Sequence, residues 1–279
     1  MKKTLRAIGI WIAAQLVITF LFMIVATIQG NDINSVLAPS LLISDAIVII
    51  ALLIMKYCTL KEMFKPAPGM VLLISMVFGM SGMMAVEILS SGFDIPNTLA
   101  DQFDAMSKTM TGFLAICIIG PIMEEMMMRR VILREIKMKT KSMWAGILIS
   151  SAIFAIIHIN PIQVVFAMPA GIILGWLYCK TGTLLIPICL HILNNTISFM
   201  AMRAGSDGGD DEFTIKTTAG VVTFMVLAIV FVITAIWIVR YYAKLKKQQE
   251  EEAQSAAELA AEPAESTSKG TFQGDNYEK

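Results

Sequence analysis

The feature that most constrains this sequence is a series of eight continuous apolar segments. Their approximate limits are 5–28, 36–56, 69–91, 110–133, 142–160, 162–179, 183–202 and 217–241. A helix needs about 20 apolar residues to cross a hydrocarbon core about 30 Å thick. Only 16% of the residues are charged, too few for a typical soluble domain. The runs also lack the alternation of membrane β-strands. We therefore predict an all-α, polytopic membrane protein with eight transmembrane helices.

The charges in the loops predict the orientation of these helices. Basic residues concentrate at the N-terminus and after segments two, four, six and eight, whereas the other loops are mainly acidic. The acidic residues of those other loops are Asp32, Asp94, Asp101, Asp104, Asp207, Asp210, Asp211 and Glu212. By the positive-inside rule, both termini are cytoplasmic. The short loops suit a multi-pass protein of a bacterial plasma membrane. The formal net charge of zero gives no reason to expect a nucleic-acid partner.

The composition changes near the C-terminus. Beyond Lys247 the chain is rich in Glu, Gln, Ala, Ser and Pro. We predict a membrane domain over 1–243 and a polar, disordered cytoplasmic tail over 244–279, with a short helical start. The four cysteines form no CxxC pair, so neither a disulfide framework nor a zinc knuckle is indicated.

Two adjacent carboxyls and an arginine interrupt the fourth apolar segment. On a helix, Glu125 and Arg129 share one face and can pair, whereas Glu124 points about 100° away. Charges at membrane depth are costly, which makes them candidates for function. Two interpretations remain open from this segment alone. One is an interfacial salt bridge that ends a helix, and the other is a site in which Glu124 is a general base.

The only two histidines of the chain also lie in apolar segments. Phe154 lies four residues before His158, and Asn195 lies four residues after His191. Each pair shares a helix face, so Phe154 can shield the His158 ring and Asn195 can donate to a substrate oxygen. A single such histidine is more often a packing residue that bonds across the bundle. Two, each with an i+4 partner, favour a site.

These three motifs together resemble a known family. Glu124-Glu125-x-x-x-Arg129, Phe154-x-x-x-His158 and His191-x-x-x-Asn195, in this order on three segments, are similar to the signature of the CAAX protease and bacteriocin-processing (CPBP, or Abi) family. That family includes the type II CAAX prenyl endopeptidases. The resemblance covers about 110–202.

The resemblance implies an intramembrane endopeptidase that acts on a membrane-embedded or membrane-associated peptide or protein. Glu124 and His158 would activate a water, His191 and Asn195 would stabilise the oxyanion, and Glu125 and Arg129 would orient them. This mechanism requires no cofactor. Zinc is also possible, because Glu124, His158 and His191 supply one carboxylate and two histidines. The sequence does not separate the two chemistries.

Other functions fit parts of the sequence. Gly79-Met80-Ser81-Gly82 matches the GxSG string of rhomboid serine proteases, although that mechanism leaves the glutamate pair unexplained. A proton- or cation-coupled transporter would also need intramembrane carboxyls. A family member could instead act without proteolysis, in bacteriocin immunity or as a scaffold.

Overall fold

The computed structural model describes residues 2–204 and 214–261, and these residues form helices without any strand. Among the described residues, seven helices are long and apolar enough to cross a membrane, so the chain is a multi-pass, helical membrane protein. The helices, numbered in chain order, are α1 Lys2–Gln29, α2 Asn34–Ile54, α3 Gly69–Ser90, α4 Met110–Thr140, α5 Met143–Ile156, α6 Pro161–Thr181, α7 Leu185–Arg203 and α8 Thr218–Ala261. Two short helices, Leu60–Met63 and Ala100–Ser107, lie in the loops before and after α3.

The fifth predicted segment is shorter in the structure than in the sequence analysis. Helix α5 has 14 residues, which corresponds to a length of about 21 Å and is less than a full crossing. It ends at Ile156 because the chain turns before Pro161, and Ile159 adopts a left-handed conformation with φ of 61°. The total of eight crossings and the sides of the two termini therefore remain predictions.

Helix α4 lies at the centre of the bundle and contacts α1, α2, α5, α6 and α7. Its run of methionines is completely enclosed, with Met126, Met127 and Met128 each 0% exposed. Flexible methionine side chains fill irregular gaps between helices well. The predicted helix 110–133 extends to Thr140, seven residues further than expected. Glu124 and Glu125 therefore lie near the middle of α4 rather than near its end.

Two π-helical segments, Leu114–Ile119 and Met126–Leu133, flank a short α-helical stretch in α4. That stretch is Gly120–Glu125, and it ends with both glutamates. π-Segments are rare and often occur at functional sites. The first π-segment shows the change from α- to π-helical hydrogen bonding. The N–H of Gly120 donates to the carbonyl of Ala115, five residues back instead of four.

The turn between α5 and α6 is anchored by Asn160, which is only 1% exposed. Its Nδ2 donates to Oδ1 of Asn97 at 2.9 Å, and its Oδ1 accepts from the backbone N–H of Thr98 at 3.0 Å. The tight hairpin that Asn160-Pro161 predicts is therefore present. These bonds connect the end of α5, next to His158, to the loop that precedes Ala100–Ser107.

Part of the predicted disordered tail is helical. Helix α8 continues to Ala261, where Lys, Gln, Glu and Ala are strong helix formers. Lys246 pairs with Glu250 at 3.4 Å, and Lys247 pairs with Glu251 at 3.5 Å, both in i,i+4 positions. The remainder of the predicted tail, 262–279, lies outside the described residues.

Candidate active site

Glu125 and Arg129 form a completely buried ion pair. Nε of Arg129 donates to Oε2 of Glu125 at 2.7 Å, and Nη2 donates to Oε1 at 3.2 Å. Both side chains are 0% exposed. The two parallel bonds fix the carboxylate in position and balance its charge. The pairing predicted from the i,i+4 spacing is therefore present.

His191, on α7, lies between the two glutamates. Its Nδ1 is 3.2 Å from Oε1 of Glu125, and its Nε2 is 3.5 Å from Oε2 of Glu124. The Glu125 carboxylate, already paired with Arg129, only accepts hydrogen bonds, so the hydrogen of this contact lies on Nδ1 of His191. Nε2 then faces Glu124. This glutamate is 20% exposed in its side chain, whereas Glu125 is fully enclosed.

The ring of Phe154 packs against both histidines. It lies edge-on to His158 at a centroid distance of 4.8 Å and edge-on to His191 at 5.7 Å. The guanidinium of Arg129 lies 5.9 Å from the centre of the same ring. Phe154 therefore connects the three motifs, and its predicted contact with His158 is present. The predicted role of an aromatic side chain that excludes water fits this position.

His158 lies just beyond the end of α5. Its Nδ1–H donates to the carbonyl of Phe154 at 2.7 Å, which leaves the lone pair of a neutral ring on Nε2. Within 2–204 and 214–261, no hydrogen bond or ion pair joins His158 to Glu124 or His191. The structure thus pairs Glu124 with His191 directly, while His158 contacts the ring of Phe154 that also contacts His191.

Asn195 has a structural bond that the sequence did not predict. Its Nδ2 donates to the carbonyl of Ile116 at 2.9 Å, in the first π-segment of α4. In the π register that carbonyl would accept from residue 121, but Pro121 has no N–H. Asn195 satisfies the orphaned carbonyl and retains one further amide hydrogen. It is therefore a cross-bundle packing residue as well as a candidate oxyanion donor.

The candidate zinc ligands are not gathered around a common point. Among the described side chains, no group of three His, Cys, Asp or Glu residues could hold a metal ion. Nδ1 of each histidine donates to a protein oxygen and leaves Nε2 free, which is the orientation of many metal-binding histidines. However, in the described part of the chain no hydrogen bond or ion pair brings His158 to Glu124 or His191, so the three residues do not form a zinc site as placed, and zinc binding stays a prediction.

The GxSG string serves helix packing. Oγ of Ser81 donates to the carbonyl of Phe78 at 3.0 Å, and Ser81 is 4% exposed. A Cβ added to Gly82 would lie 2.7 Å from the ring of Phe231. A Cβ added to Gly79 would likewise overlap the side chain of Leu190. No hydrogen bond joins Ser81 to a histidine within the described part of the chain, so the serine mechanism gains no support.

Asp45 is a buried polar residue near the site that the sequence analysis missed. It is 5% exposed, and its Oδ1 accepts from Nε2 of Gln15 at 2.6 Å. A signal was available, since Asp45 is the single charged residue of the second apolar segment before Lys56. Lone carboxyls at membrane depth are candidates for function by the same reasoning that selected Glu124.

Comparison with known proteins finds a family match over the part of the chain that contains these residues. Residues 106–197, which contain all three motifs, match the family model described as "Type II CAAX prenyl endopeptidase Rce1-like". The predicted family resemblance is confirmed. The match includes the whole of the first π-segment, the glutamate pair, and the histidines of the α5–α6 turn and α7.

A curated relative named as a membrane peptidase is similar to the same chain. The chain is 30% identical over 118 residues to a protein of Bacillus subtilis (strain 168) named "Putative membrane peptidase YdiL". The alignment covers 42% of this chain and 48% of the relative, so the chain spans about half the length of the relative it matches. No solved structure matches significantly.

Proposed function

We propose that the protein is an intramembrane endopeptidase that hydrolyses a peptide bond of a membrane-associated protein or peptide. The observation that carries the proposal is the position of His191 between two glutamates of unequal exposure. Glu125 is neutralised by Arg129 and enclosed, whereas Glu124 is accessible. This arrangement provides a fixed carboxylate that orients the imidazole and a free one that reacts. The membrane peptidase name of the relative supports the same reaction class.

In the proposed reaction, Glu124 is the general base. It removes a proton from a water, whose oxygen bonds to the scissile carbonyl carbon. His158 holds this water through the free lone pair on its Nε2. The proton on Glu124 then passes to the leaving nitrogen as the C–N bond breaks, so Glu124 returns to its starting state.

The oxyanion of the tetrahedral intermediate needs donors in a dry site. Asn195 supplies its second amide hydrogen, because the first is already used on Ile116. His191 supplies an N–H at Nε2 once the proton that Glu124 took from the water moves to this nitrogen, which is 3.5 Å from the Glu124 carboxyl, and the proton returns through Glu124 to the leaving nitrogen. Glu125 and Arg129 hold the imidazole in this orientation.

The proposal is tested by comparing the membrane peptides of cells that express wild type and Glu124→Gln, by mass spectrometry. We expect uncleaved precursors to accumulate in the variant, with turnover reduced by about 100-fold or more, because a positioned general base contributes about that much. Glu87→Gln is the matched control, since Glu87 is another carboxyl of a spanning helix, on α3. Identical peptide profiles for wild type and Glu124→Gln would refute the proposal.

Metal independence is a separate part of the proposal. With the purified protein and a cleaved peptide, we expect 1,10-phenanthroline to leave the rate unchanged, since the three candidate ligands do not converge. Loss of activity that added zinc restores would contradict this part and would assign Glu124, His158 and His191 to a metal. A non-proteolytic role would be favoured if Glu124→Gln, His158→Ala and His191→Ala all fold and retain full cellular function.

A further inference from the structure

Asp45 belongs to a polar network that joins α1 and α2 deep in the bundle. Nε2 of Gln15 donates to Oδ1 of Asp45 at 2.6 Å, and Oγ of Ser44 donates to Oε1 of the same Gln15 at 3.0 Å. Ser44 is 0% exposed. The bond to Asp45 turns the Gln15 nitrogen toward the carboxyl, and the amide oxygen then lies at Oγ of Ser44. This Oγ is also 3.0 Å from the carbonyl of Leu41. The network therefore holds the Asp45 carboxyl in place.

The other oxygen of Asp45 faces α4 at Gly120. A Cβ built on Gly120 would lie 3.7 Å from Oδ2 of Asp45, an ordinary contact distance, so this oxygen lies against α4 at Gly120. Within the described residues, no protein hydrogen bond is made by this oxygen. Glu124 follows Gly120 by four residues, one turn along the same face. The carboxyls of Asp45 and Glu124 interact electrostatically.

We propose that Asp45 is a positioning residue that directs the carboxyl of Glu124 toward His191. A water that donates one hydrogen to Oδ2 of Asp45 and the other to the carboxyl of Glu124 joins the two groups. This bridge fixes which way the Glu124 carboxyl turns. The hydrogen bonds among Gln15, Ser44 and Asp45 hold the Asp45 carboxyl in its orientation toward Gly120.

This inference concerns the same site as the proposed function, and its effect on kcat rests on that function. Its effect on the surroundings of His191 does not depend on whether the protein is a protease. If Asp45 sets the direction of Glu124, removing its hydrogen-bonding oxygen changes the surroundings of His191 Nε2, which is 3.5 Å from Glu124. His158 shares no bond with this network and remains unaffected.

The chain has only two histidines, so selective ¹⁵N labelling of histidine gives an NMR readout with two rings. We would record the full-length protein in lipid nanodiscs as wild type, Asp45→Leu, Asp45→Asn and Glu124→Gln, with Glu87→Leu as the matched control. We expect Asp45→Leu and Glu124→Gln to shift the Nε2 signal of His191 and to leave His158 in place. Asp45→Asn keeps an acceptor for Gln15 and offers N–H donors to Glu124, so it should shift His191 much less.

Kinetics distinguish positioning from a merely structural role. We expect Asp45→Leu to lower kcat by about 10-fold with KM within about two-fold, because a misdirected base affects the chemical step more than binding. Asp45→Asn should restore most of the rate. Asp45→Leu leaves Nε2 of Gln15 without its acceptor, so we expect a moderate drop in melting temperature, and thermal unfolding checks that the variant is folded before its kinetics are compared.

An unchanged His191 signal and wild-type kcat in Asp45→Leu would overturn the inference while the protease proposal stands. If wild type cleaves no peptide, the proposed function fails, and the NMR comparison still decides the role of Asp45. Should Asp45→Leu not fold, Gln15→Met tests the same network by releasing Oδ1 of Asp45. A wild-type His191 signal in that folded variant would likewise overturn the inference.

Discussion

Among single residues, Glu124 and Glu125 show how adjacent identical side chains acquire different chemistry. They point about 100° apart on the helix, and only Glu125 has Arg129 one turn away. As a result, Glu125 is enclosed and paired, whereas Glu124 is 20% exposed and faces His191. Local helical geometry was enough to predict the ion pair. The exposure of Glu124 depends on how the other helices pack around α4.

The Glu125–Arg129 pair gives a prediction about stability. Arg129→Met leaves a buried carboxylate without its partner, and we expect it to destabilise the fold by about 3–5 kcal/mol. The double variant Glu125→Gln with Arg129→Met removes both charges and should recover much of that loss. Thermal unfolding of the purified proteins in one detergent measures the difference. A double variant no more stable than Arg129→Met alone would contradict the reasoning.

At the level of elements, the π-helical hydrogen bonding in α4 explains why Asn195 bonds to the backbone of that helix. The apolar run predicted a helix, but its π-segments depend on contacts that the local sequence does not contain. Pro121 removes the donor that the π register would supply to Ile116, and α7 provides Asn195 instead. Spacing alone identified Asn195 as a partner of His191 on one helix face. It could not reveal that one of its amide hydrogens is already used.

We predict that Asn195→Ala destabilises the fold by about 1–2 kcal/mol, because it leaves the buried carbonyl of Ile116 without a donor. Adding Pro121→Ala supplies a backbone N–H at the position that the π register requires. The double variant should therefore be more stable than Asn195→Ala alone, as measured by thermal unfolding. If the oxyanion role also holds, stability returns in the double variant but the full rate of cleavage does not. Restoration of both would leave Asn195 only a structural role.

On the scale of the whole molecule, the number of crossings decides on which side each loop lies. In the part of the chain that the structure describes, seven helices are long enough to cross, while α5 has 14 residues. Because α5 and α6 form a tight hairpin, two arrangements are open. Either α5 crosses the bilayer where it is locally thinned, or the α5 segment is re-entrant and returns to the side from which it entered. Eight crossings place both termini on one side of the membrane, whereas seven place them on opposite sides.

Cysteine labelling tests this topology. After the native cysteines are replaced, single cysteines are introduced as Asp101→Cys, Lys139→Cys and Lys247→Cys. The replaced residues are Cys58, Cys117, Cys179 and Cys189. With eight crossings, a membrane-impermeant maleimide applied to intact cells should label only Asp101→Cys, and the other two only after permeabilisation. Labelling of Lys247→Cys in intact cells would instead indicate seven crossings.

The sequence by itself determined the all-helical membrane class, the approximate helix limits, the family resemblance and the Glu125–Arg129 pair. These features depend on the length of apolar runs and on i,i+4 spacing, which are local properties of a helix. Only the tertiary structure decided that His191 lies between the glutamates, that Phe154 contacts both histidines, and that Asp45 approaches α4 at Gly120. Such contacts join side chains on different helices, and their distances follow from how closely the helices pack and where their registers shift.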